Sequence, residues 1–201
     1  MTTIRQFICS ICVFFFSTFA SAAFLVNTGT PENDSANYTV DTANYVAARF
    51  TVTGEWMLQH IEAWVTCHQA CEGDGLLMFQ IARDDNGGLP GGSNVVTGAI
   101  FPSASDAFSW QGRSILAPIS DGTYWLSFSS NPYSAIPFSG LIGGLAPDPL
   151  QSEMRFEGGT WIASDMGLAI RITAIPLPPA IYLFATGLIG LVGMARCKRK
   201  Q

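Results

Sequence analysis

Residue types that commonly carry chemistry are scarce in this sequence. Lysine is absent between residues 24 and 174, and the whole chain has only two histidines, His60 and His68. The same central stretch holds five arginines and all fifteen Asp and Glu residues, so its surface should repel nucleic acid and other polyanions. The motifs G-x-S-x-G and H-E-x-x-H and a phosphate-binding loop are missing as well. These absences predict a protein that is not an enzyme.

A catalytic triad would need a positioned histidine. His60 falls in a predicted strand, on the side expected to carry Trp56, Leu58 and Trp64. A structural or surface histidine is therefore favoured there over a catalytic base. Paired carboxylates for glycoside hydrolysis are not singled out by any spacing, because fifteen acids are available and solvated surface acids explain them.

Cysteine is sparse in the central stretch, where only Cys67 and Cys71 occur out of five in the chain. In an oxidising compartment these two are expected to form a disulfide that closes a tight loop, worth roughly 2 kcal/mol. The alternative is a metal site of Cys67, His68 and Cys71. A fourth ligand is not evident, and adjacent Cys and His side chains seldom reach one ion. The disulfide is favoured, and no metal or cofactor is expected.

A helical period of 3.6 residues is also lacking between residues 24 and 174. Short runs that alternate apolar and polar residues predict strands instead, and Gly, Asp and Asn turns separate them. The predicted strands are 46–53, 56–66, 76–82, 94–101, 107–111, 123–129, 153–157, 159–163 and 167–174. Residues 27–44 and 131–150 are expected to be irregular. The pattern predicts one all-β domain over residues 24–174, a single jelly-roll-like β-sandwich.

Residues 1–23 have the pattern of a secretory signal peptide. Arg5 precedes an apolar run over residues 7–20, and Ala20-Ser21-Ala22-Ala23 provides small residues for cleavage after Ala22 or Ala23. An uncleaved membrane anchor is the alternative, but the run is short and ends in small residues. We therefore expect export through the Sec machinery.

Residues 175–201 contain three signals in succession. A proline-rich entry, Ile175-Pro176-Leu177-Pro178-Pro179-Ala180, leads into an uncharged apolar segment, 180–195, and then a basic tail, 196–200. The apolar segment would cover roughly 24 Å as a helix, which spans a thin bilayer, or a thicker one if residues 177–179 also enter the apolar zone, and the cations should stay on the cytoplasmic side. A C-terminal transmembrane helix is therefore expected. The three parts, with Ile175 in place of Val, resemble the VPLPA variant of the PEP-CTERM sorting signals.

That resemblance implies a route and a partner. In the family, the tail holds the protein in the inner membrane until an exosortase, a membrane cysteine protease, cuts near the proline motif. The family accompanies exopolysaccharide production in Gram-negative bacteria, which implies a surface or matrix role. An ordinary C-terminal anchor is the alternative interpretation of the same residues.

A second resemblance concerns the central stretch. Four short segments match, in order, the bacterial choice-of-anchor surface domains, which are joined to varied C-terminal anchors; they are 48–50, 81–91, 110–112 and 122–126. This resemblance implies a surface β-sandwich without assigned chemistry.

Two further sites are candidates from residue type alone. Asp84, Asp85 and Asn86 supply oxygen ligands that could hold calcium, although their spacing does not match the usual calcium loop. Trp110 and Trp125 could stack on sugar rings, although aromatic residues in β-sandwiches more often lie in the core.

The prediction is thus an exported, non-enzymatic surface or extracellular-matrix protein that is transiently anchored in the inner membrane. The alternative is a carbohydrate-binding module that uses surface tryptophans, and a glycan-active enzyme is a third class.

Overall fold

The fold is seen in a computed structural model, and the residues it describes form six stretches: 21–32, 37–67, 75–103, 105–131, 137–150 and 152–177. By backbone contacts, Ala22–Ile175 forms one compact unit. The predicted transmembrane helix 180–195 and nearly all of the predicted signal peptide lie outside the described residues. Among the described residues, no helix is long and apolar enough to cross a membrane.

The described part of Ala22–Ile175 is all-β. Its strands are β1 (Ala23–Asn27), β2 (Asn37–Val40), β3 (Tyr45–Val52), β4 (Trp56–Cys67), β5 (Leu77–Arg83), β6 (Asn94–Ile100), β7 (Ser105–Ile119), β8 (Gly122–Ser130), β9 (Gly140–Gly143), β10 (Ser152–Glu157), β11 (Thr160–Ser164) and β12 (Ile170–Pro176). One sheet has the order β1-β12-β4-β9-β2, with β7 also paired to β4. The other has the order β11-β10-β3-β8-β5-β6.

Both sheets contribute to one hydrophobic core, which gives the fold a sandwich-like arrangement. Strand β3 shows why: Val46, Ala48, Phe50 and Val52 alternate inward and are at most 4% exposed, whereas Thr51 faces solvent. Burial of each large apolar side chain stabilises the fold by roughly 1.5–3 kcal/mol. Strand alternation thus fixes which residues are left for the two outer faces.

Most strands occur where the apolar and polar alternation predicts them. The bounds of β3, β4, β5, β6, β8, β10 and β11 agree with the predicted ranges to within one residue. Three strands were not predicted. β1 and β2 overlap the region expected to be irregular, and β9 lies in the expected 131–150 loop. β2 and β9 have only four residues each and pair with one another, so the pairing that defines them is not local in sequence.

Strand β7 is much longer than the predicted 107–111, because Gly112 and Pro118 look like strand breakers in the sequence. Gly112 lies opposite Glu62, and an added Cβ would come within 2.6 Å of the Ile61 carbonyl oxygen. Pro118 is tolerated because, among the described strands, β7 pairs only with β4 and leaves its other edge without a ladder. Both residues are therefore compatible with a strand in this position.

The facing of β4 changes before His60, which corrects the predicted position of this residue. The register of β4 against β7 shifts there: Leu58 pairs with Ala117 and His60 with Ser114, so the extra residue lies in β7. Leu58 is fully buried, and beyond the shift the buried positions are Ile61, Ala63 and Val65, so the inward-facing residues of β4 are three positions apart across it instead of two. His60 therefore lies on the outer face, opposite to Leu58 and on the same side as Trp64.

Candidate functional site

Trp125, one of the two predicted glycan contacts, is 1% exposed. Its indole Nε1 donates a hydrogen bond to Asp84 Oδ1 at 3.0 Å, and Arg49 Nη2 donates to the other carboxylate oxygen. The Asp84 side chain is itself only 7% exposed, so one cation and one N–H group neutralise and satisfy a nearly buried carboxylate. The expectation of glycan contact at Trp125 is corrected: this tryptophan anchors the loop after β5 and does not face a ligand.

The predicted calcium ligands Asp84, Asp85 and Asn86 each have partners within the protein. Both Asp85 carboxylate oxygens accept hydrogen bonds from Ser93, one from its N–H at 2.8 Å and one from its hydroxyl. These bonds lower the pKa of Asp85. Asn86 Nδ2 donates to the Pro90 carbonyl. In the described part of the chain, no His, Cys, Asp and Glu residues group in threes to hold a metal ion. The geometry supports a loop closed by its own hydrogen bonds and does not favour calcium there.

Trp110, the other predicted glycan contact, is half-buried on the outer face of the sheet that contains β4 and β7. Its ring lies 5.5 Å from the Trp64 ring, and the Arg171 guanidinium lies 3.8 Å from the Trp110 ring centroid. Trp110 Nε1 donates to Thr30 Oγ1 at 3.1 Å, and Arg171 donates to Asn27 Oδ1 and Thr30 Oγ1. Arg171 therefore covers one face of the Trp110 ring, which leaves less of it for a sugar.

His60 lies between a serine and a glutamate, an arrangement that resembles a catalytic triad. Its Nδ1 is 3.2 Å from Ser114 Oγ, but its Nε2 is 3.9 Å from the nearest Glu62 oxygen, which is too far for a hydrogen bond. The three side chains lie on an open sheet face. A hydrolase of this kind also needs backbone N–H groups to stabilise an oxyanion, and here the strand pairing of β4 with β7 occupies such groups. The geometry does not make His60 a base.

Cys67, at the end of β4, is disulfide-bonded. Because a sulfur in a disulfide is not a free thiolate, it is not a metal ligand in this state. Cys71 and His68 lie outside the described residues, so the pairing of Cys67 with Cys71 stays a prediction.

The first residues of the proposed sorting motif lie within the described stretches. Ile175 and Pro176 end β12, and Leu177 follows it, whereas residues 178–180 lie outside the described stretches. In the β1–β12 ladder the last pair is Ala174 with Ala23, and Ala174 is fully buried. Strand β12 also lies beside β4 and continues through Pro176, so the sheet holds the chain at least as far as Ala174.

Three aromatic side chains lie directly opposite one another across β3, β10 and β11. Phe156 pairs with Tyr45 on one side and with Trp161 on the other. The Tyr45 and Phe156 rings are stacked with centroids 5.1 Å apart, and Trp161 meets Phe156 edge-on at 5.3 Å. Gly158 and Gly159, with φ of 60° and 88°, make the tight turn that fixes this register.

A groove with a volume of about 360 Å³ is lined by residues of β2, β3 and β10. Arg155 lies opposite Val46, which faces the core, so Arg155 and Glu157 are on that side of the sheet and the Tyr45 and Phe156 rings are on the other. Arg155 Nε and Glu157 Oε2 are 3.3 Å apart, with both side chains about half exposed. Sequence reasoning missed the aromatic cluster of Tyr45, Phe156 and Trp161, although counting outward from Gly158-Gly159 would have placed Phe156 opposite Trp161.

A turn before β3 fixes the position of Tyr45. Asp41 Oδ1 accepts hydrogen bonds from the backbone N–H groups of Ala43 at 2.7 Å and Asn44 at 2.8 Å, and the Asn44 side-chain amide donates to both carboxylate oxygens. Partial burial opposes ionisation of Asp41, but these hydrogen bonds outweigh it and lower its pKa. The Tyr45 hydroxyl donates to the Thr42 carbonyl at 2.8 Å, so the turn also fixes the tyrosine.

Glu153 is a buried carboxylate, 4% exposed, on β10. Its two oxygens accept hydrogen bonds from the backbone N–H groups of Gly167 at 2.6 Å and Leu168 at 2.8 Å. Burial raises the pKa of Glu153, the two N–H groups oppose that rise, and the charge of Asp165 adds to it. Glu153 therefore links β10 of one sheet to the segment that leads into β12 of the other.

No protein-family model matches this chain, and a comparison with curated proteins finds no relative.

Proposed function

We propose that this protein is an exported, non-enzymatic surface or extracellular-matrix protein, delivered by a signal peptide and an exosortase-type sorting signal. One observation carries the proposal. The compact unit, Ala22–Ile175, has nearly the same bounds as the stretch that would remain once both signals were removed. Processing at the two predicted sites would thus separate targeting segments from a complete β unit.

The ends of that unit support the same proposal. Strand β1 begins at Ala23, beside the predicted signal-peptide cleavage site, and pairs with β12 through Ala23 and Ala174. A protease acts on an extended, accessible chain, so the bonds within the paired part of β12 are protected. Cleavage of the tail should therefore fall after Ala174, at the proline motif. In the finer form of the proposal, the unit is a jelly-roll-like sandwich of the choice-of-anchor type.

The proposal assigns no catalysis to the unit. Among the described residues, His60 lacks a hydrogen-bonded acid, and the nearly buried carboxylates of Asp84 and Glu153 have their oxygens engaged by protein donors. A surface role associated with exopolysaccharide is proposed by analogy with the sorting signal alone.

The experiment is to replace Pro176 and Pro178 together by alanine in a Gram-negative host that encodes an exosortase. We expect the unchanged protein to be shortened and released from the inner membrane, and the variant to accumulate there at full length. A variant with Pro149 replaced by alanine, outside the motif, is the control and should be processed normally. Equal processing of the motif variant and the unchanged protein would contradict the proposal.

A further inference from the structure

We propose that one end of the outer face formed by β1, β12, β4 and β7 rests on a lipid bilayer with zwitterionic headgroups. The proposal deepens the proposed function and rests on it, because it takes residues 180–195 to lie in a bilayer before cleavage. The end in question is the one where β12 finishes, at Pro176, and we call it the tail end. Contact there would hold the proline motif at the bilayer surface, where a membrane protease acts.

Four neighbouring strands of one sheet reach the tail end. β1 begins there, since its first residue, Ala23, pairs with Ala174 of β12. The Trp64 N–H of β4 donates to the Ala169 carbonyl just before β12 starts. β7 lies along one edge of β4, and β9 takes the two residues after Trp64 on the other edge. β12 therefore runs from Trp64 towards the first residue of β4, Trp56, where the last residues of β7 also pair.

β1 and β12 each turn an apolar side chain outward at the tail end. Ile172 and Ala174 are fully buried, so alternation turns Thr173 and Ile175 outward. Phe24 of β1 pairs with Thr173 and shares its face, and Phe24 is 56% exposed. Phe24 and Ile175 therefore stand on the outer face where β12 ends.

β4 and β7 extend the same apolar surface. Met57 pairs with Pro118 next to Leu58, which is fully buried, so alternation turns both outward. Leu116, two residues before Pro118 along β7, faces the same way and is 76% exposed. We call the outward apolar residues of this end the tail-end patch: Phe24, Met57, Leu116, Pro118 and Ile175. Exposed apolar surface of this kind commonly marks a contact with another protein or with a membrane.

The length of chain beyond the patch favours a bilayer as its partner. Only residues 177–179 separate Pro176 from the apolar segment 180–195. An extended chain reaches at most roughly 14 Å from Pro176 to Ala180, so the tail end has to stay near the bilayer that holds the segment. So short a tether gives an effective concentration in about the millimolar range, at which even a weak apolar contact is occupied.

The two sheets differ at the tail end, and the difference decides which face meets the bilayer. β3 of the other sheet reaches this end and leads into β4 through a short turn. There Thr51, Thr53 and Glu55 are exposed and polar. Such a surface would lose hydration at a bilayer without burying apolar groups. The face that carries the tail-end patch is therefore the one that gains from the contact.

The charges of the unit favour zwitterionic headgroups. The Arg171 guanidinium borders the patch, 5.9 Å from the Phe24 ring centroid, and an arginine can donate to a lipid phosphate. The rest of the unit is strongly acidic, with five arginines against fifteen carboxylates between residues 24 and 174, so an anionic surface would repel it. A zwitterionic headgroup offers a phosphate without giving the bilayer a net negative charge.

The experiment places a photo-crosslinking residue at one of four exposed apolar sites. Phe24 and Leu116 belong to the tail-end patch. Phe101 is the matched control for Phe24: it is 61% exposed, lies 5.5 Å from an arginine guanidinium, and follows β6 at the opposite end of the unit. Leu89 is the matched control for Leu116. It is 41% exposed in the loop after β5, which ends near the start of β8, so it lies at the tail end but on the other sheet.

Each variant carries p-benzoylphenylalanine at one of these sites. It is produced in a Gram-negative host without an exosortase, so that the signal peptide is removed and the tail is kept. This tail-bearing form is reconstituted in phosphatidylcholine liposomes or in phosphatidylglycerol liposomes and then illuminated. Mass spectrometry gives the fraction of chains that carry a lipid adduct, and circular dichroism checks that each variant is folded.

We expect about fivefold or more lipid adduct at Phe24 and Leu116 than at Phe101 and Leu89 in phosphatidylcholine. The adduct at the two patch sites should fall in phosphatidylglycerol. If a variant does not fold, hydroxyl-radical labelling of the unchanged tail-bearing protein in phosphatidylcholine liposomes decides. Phe24 should then be oxidised about threefold less than Phe101, or still less, although the two are similarly exposed in the protein alone.

Equal adduct at all four sites, more adduct with phosphatidylglycerol, or adducts that join two protein chains in place of lipid would overturn the proposal. Extraction of the liposomes with alkaline carbonate separates this failure from that of the proposed function. A chain that resists extraction while showing any of those results leaves the proposed function standing. A chain that carbonate extracts would overturn both this proposal and the membrane-held step on which it rests.

Discussion

At the residue scale, Glu153 is the polar side chain whose loss should matter most for stability. It accepts two backbone hydrogen bonds, from Gly167 and Leu168, at a site that is 4% exposed. In Glu153→Gln an amide N–H₂ group would face a backbone N–H, so one buried donor is left unsatisfied. We expect a loss of about 1–3 kcal/mol in the free energy of unfolding, measured with urea. Glu55→Gln, at an exposed site, should change it by less than about 0.5 kcal/mol, and equal effects would contradict this account.

The same carboxyl predicts a pH dependence. Burial raises the pKa of Glu153 above its ordinary value of 4.5, so the folded state holds the proton more tightly than the unfolded state does. Its contribution to the free energy of unfolding should therefore fall as the pH rises from 4.5 through the folded-state pKa, and then level off. Urea unfolding of the unchanged protein and of Glu153→Gln from pH 4 to 7 measures this contribution. The difference between their free energies of unfolding should shrink as the pH rises. A growing difference would mean that the two N–H donors outweigh burial.

Single residues were the least predictable part of the candidate site. The sequence singled out Trp125 because it is a tryptophan on a strand, but it could not show that Asp84 takes its N–H and that the ring is buried. Conversely, Tyr45 and Phe156 lie more than a hundred positions apart in the chain, and only strand pairing brings their rings together. Residue type indicates what a side chain can do, whereas the pairing of strands decides what it can reach.

At the scale of elements, local alternation was a good guide and pairing between distant segments was not. Strands with a clear inward face, such as β3 and β8, could be predicted to within one residue. β2 and β9 could not, because four-residue strands containing polar or glycine residues are defined by their partner. The register shift before His60, with its extra residue in β7, had no sequence signal, since alternation assumes that no residue is inserted.

The β10–β11 hairpin gives a test at the same scale. Gly158 and Gly159 both have positive φ, which costs a residue with a Cβ about 1–2 kcal/mol. Gly158→Ala should therefore lower the free energy of unfolding by about 1 kcal/mol, whereas Gly158→Asn should lower it less, because asparagine tolerates the left-handed region. Urea unfolding of the two variants measures both changes. A larger loss in the free energy of unfolding for Gly158→Asn than for Gly158→Ala would contradict the turn geometry.

The disulfide at the end of β4 can be assigned by peptide mapping without reduction. Cys67 is disulfide-bonded, and we predict that the linked peptide contains Cys71. Opening so small a loop by reduction should cost roughly 2 kcal/mol in the free energy of unfolding. A peptide that links Cys67 to any other cysteine would refute the predicted pairing.

At the scale of the whole molecule, composition and alternation predicted an all-β unit flanked by targeting segments, and the described residues form two antiparallel sheets with a shared core. The order of the strands could not be predicted. β1 and β12 are neighbours although they lie at opposite ends of the unit, and this pairing is what ties the two ends together. Tail removal must leave the chain intact through Ala174 if all pairs of the β1–β12 ladder are to be kept.

Mass spectrometry of both termini of the protein recovered outside the cell tests the central claim most directly. The account predicts a first residue at Ala23 or Phe24, and a last residue after Ala174 and within the motif 175–180. Secreted molecules that still carry residues 180–195, or a chain that keeps its first 22 residues and stays in the cytosol, would contradict it.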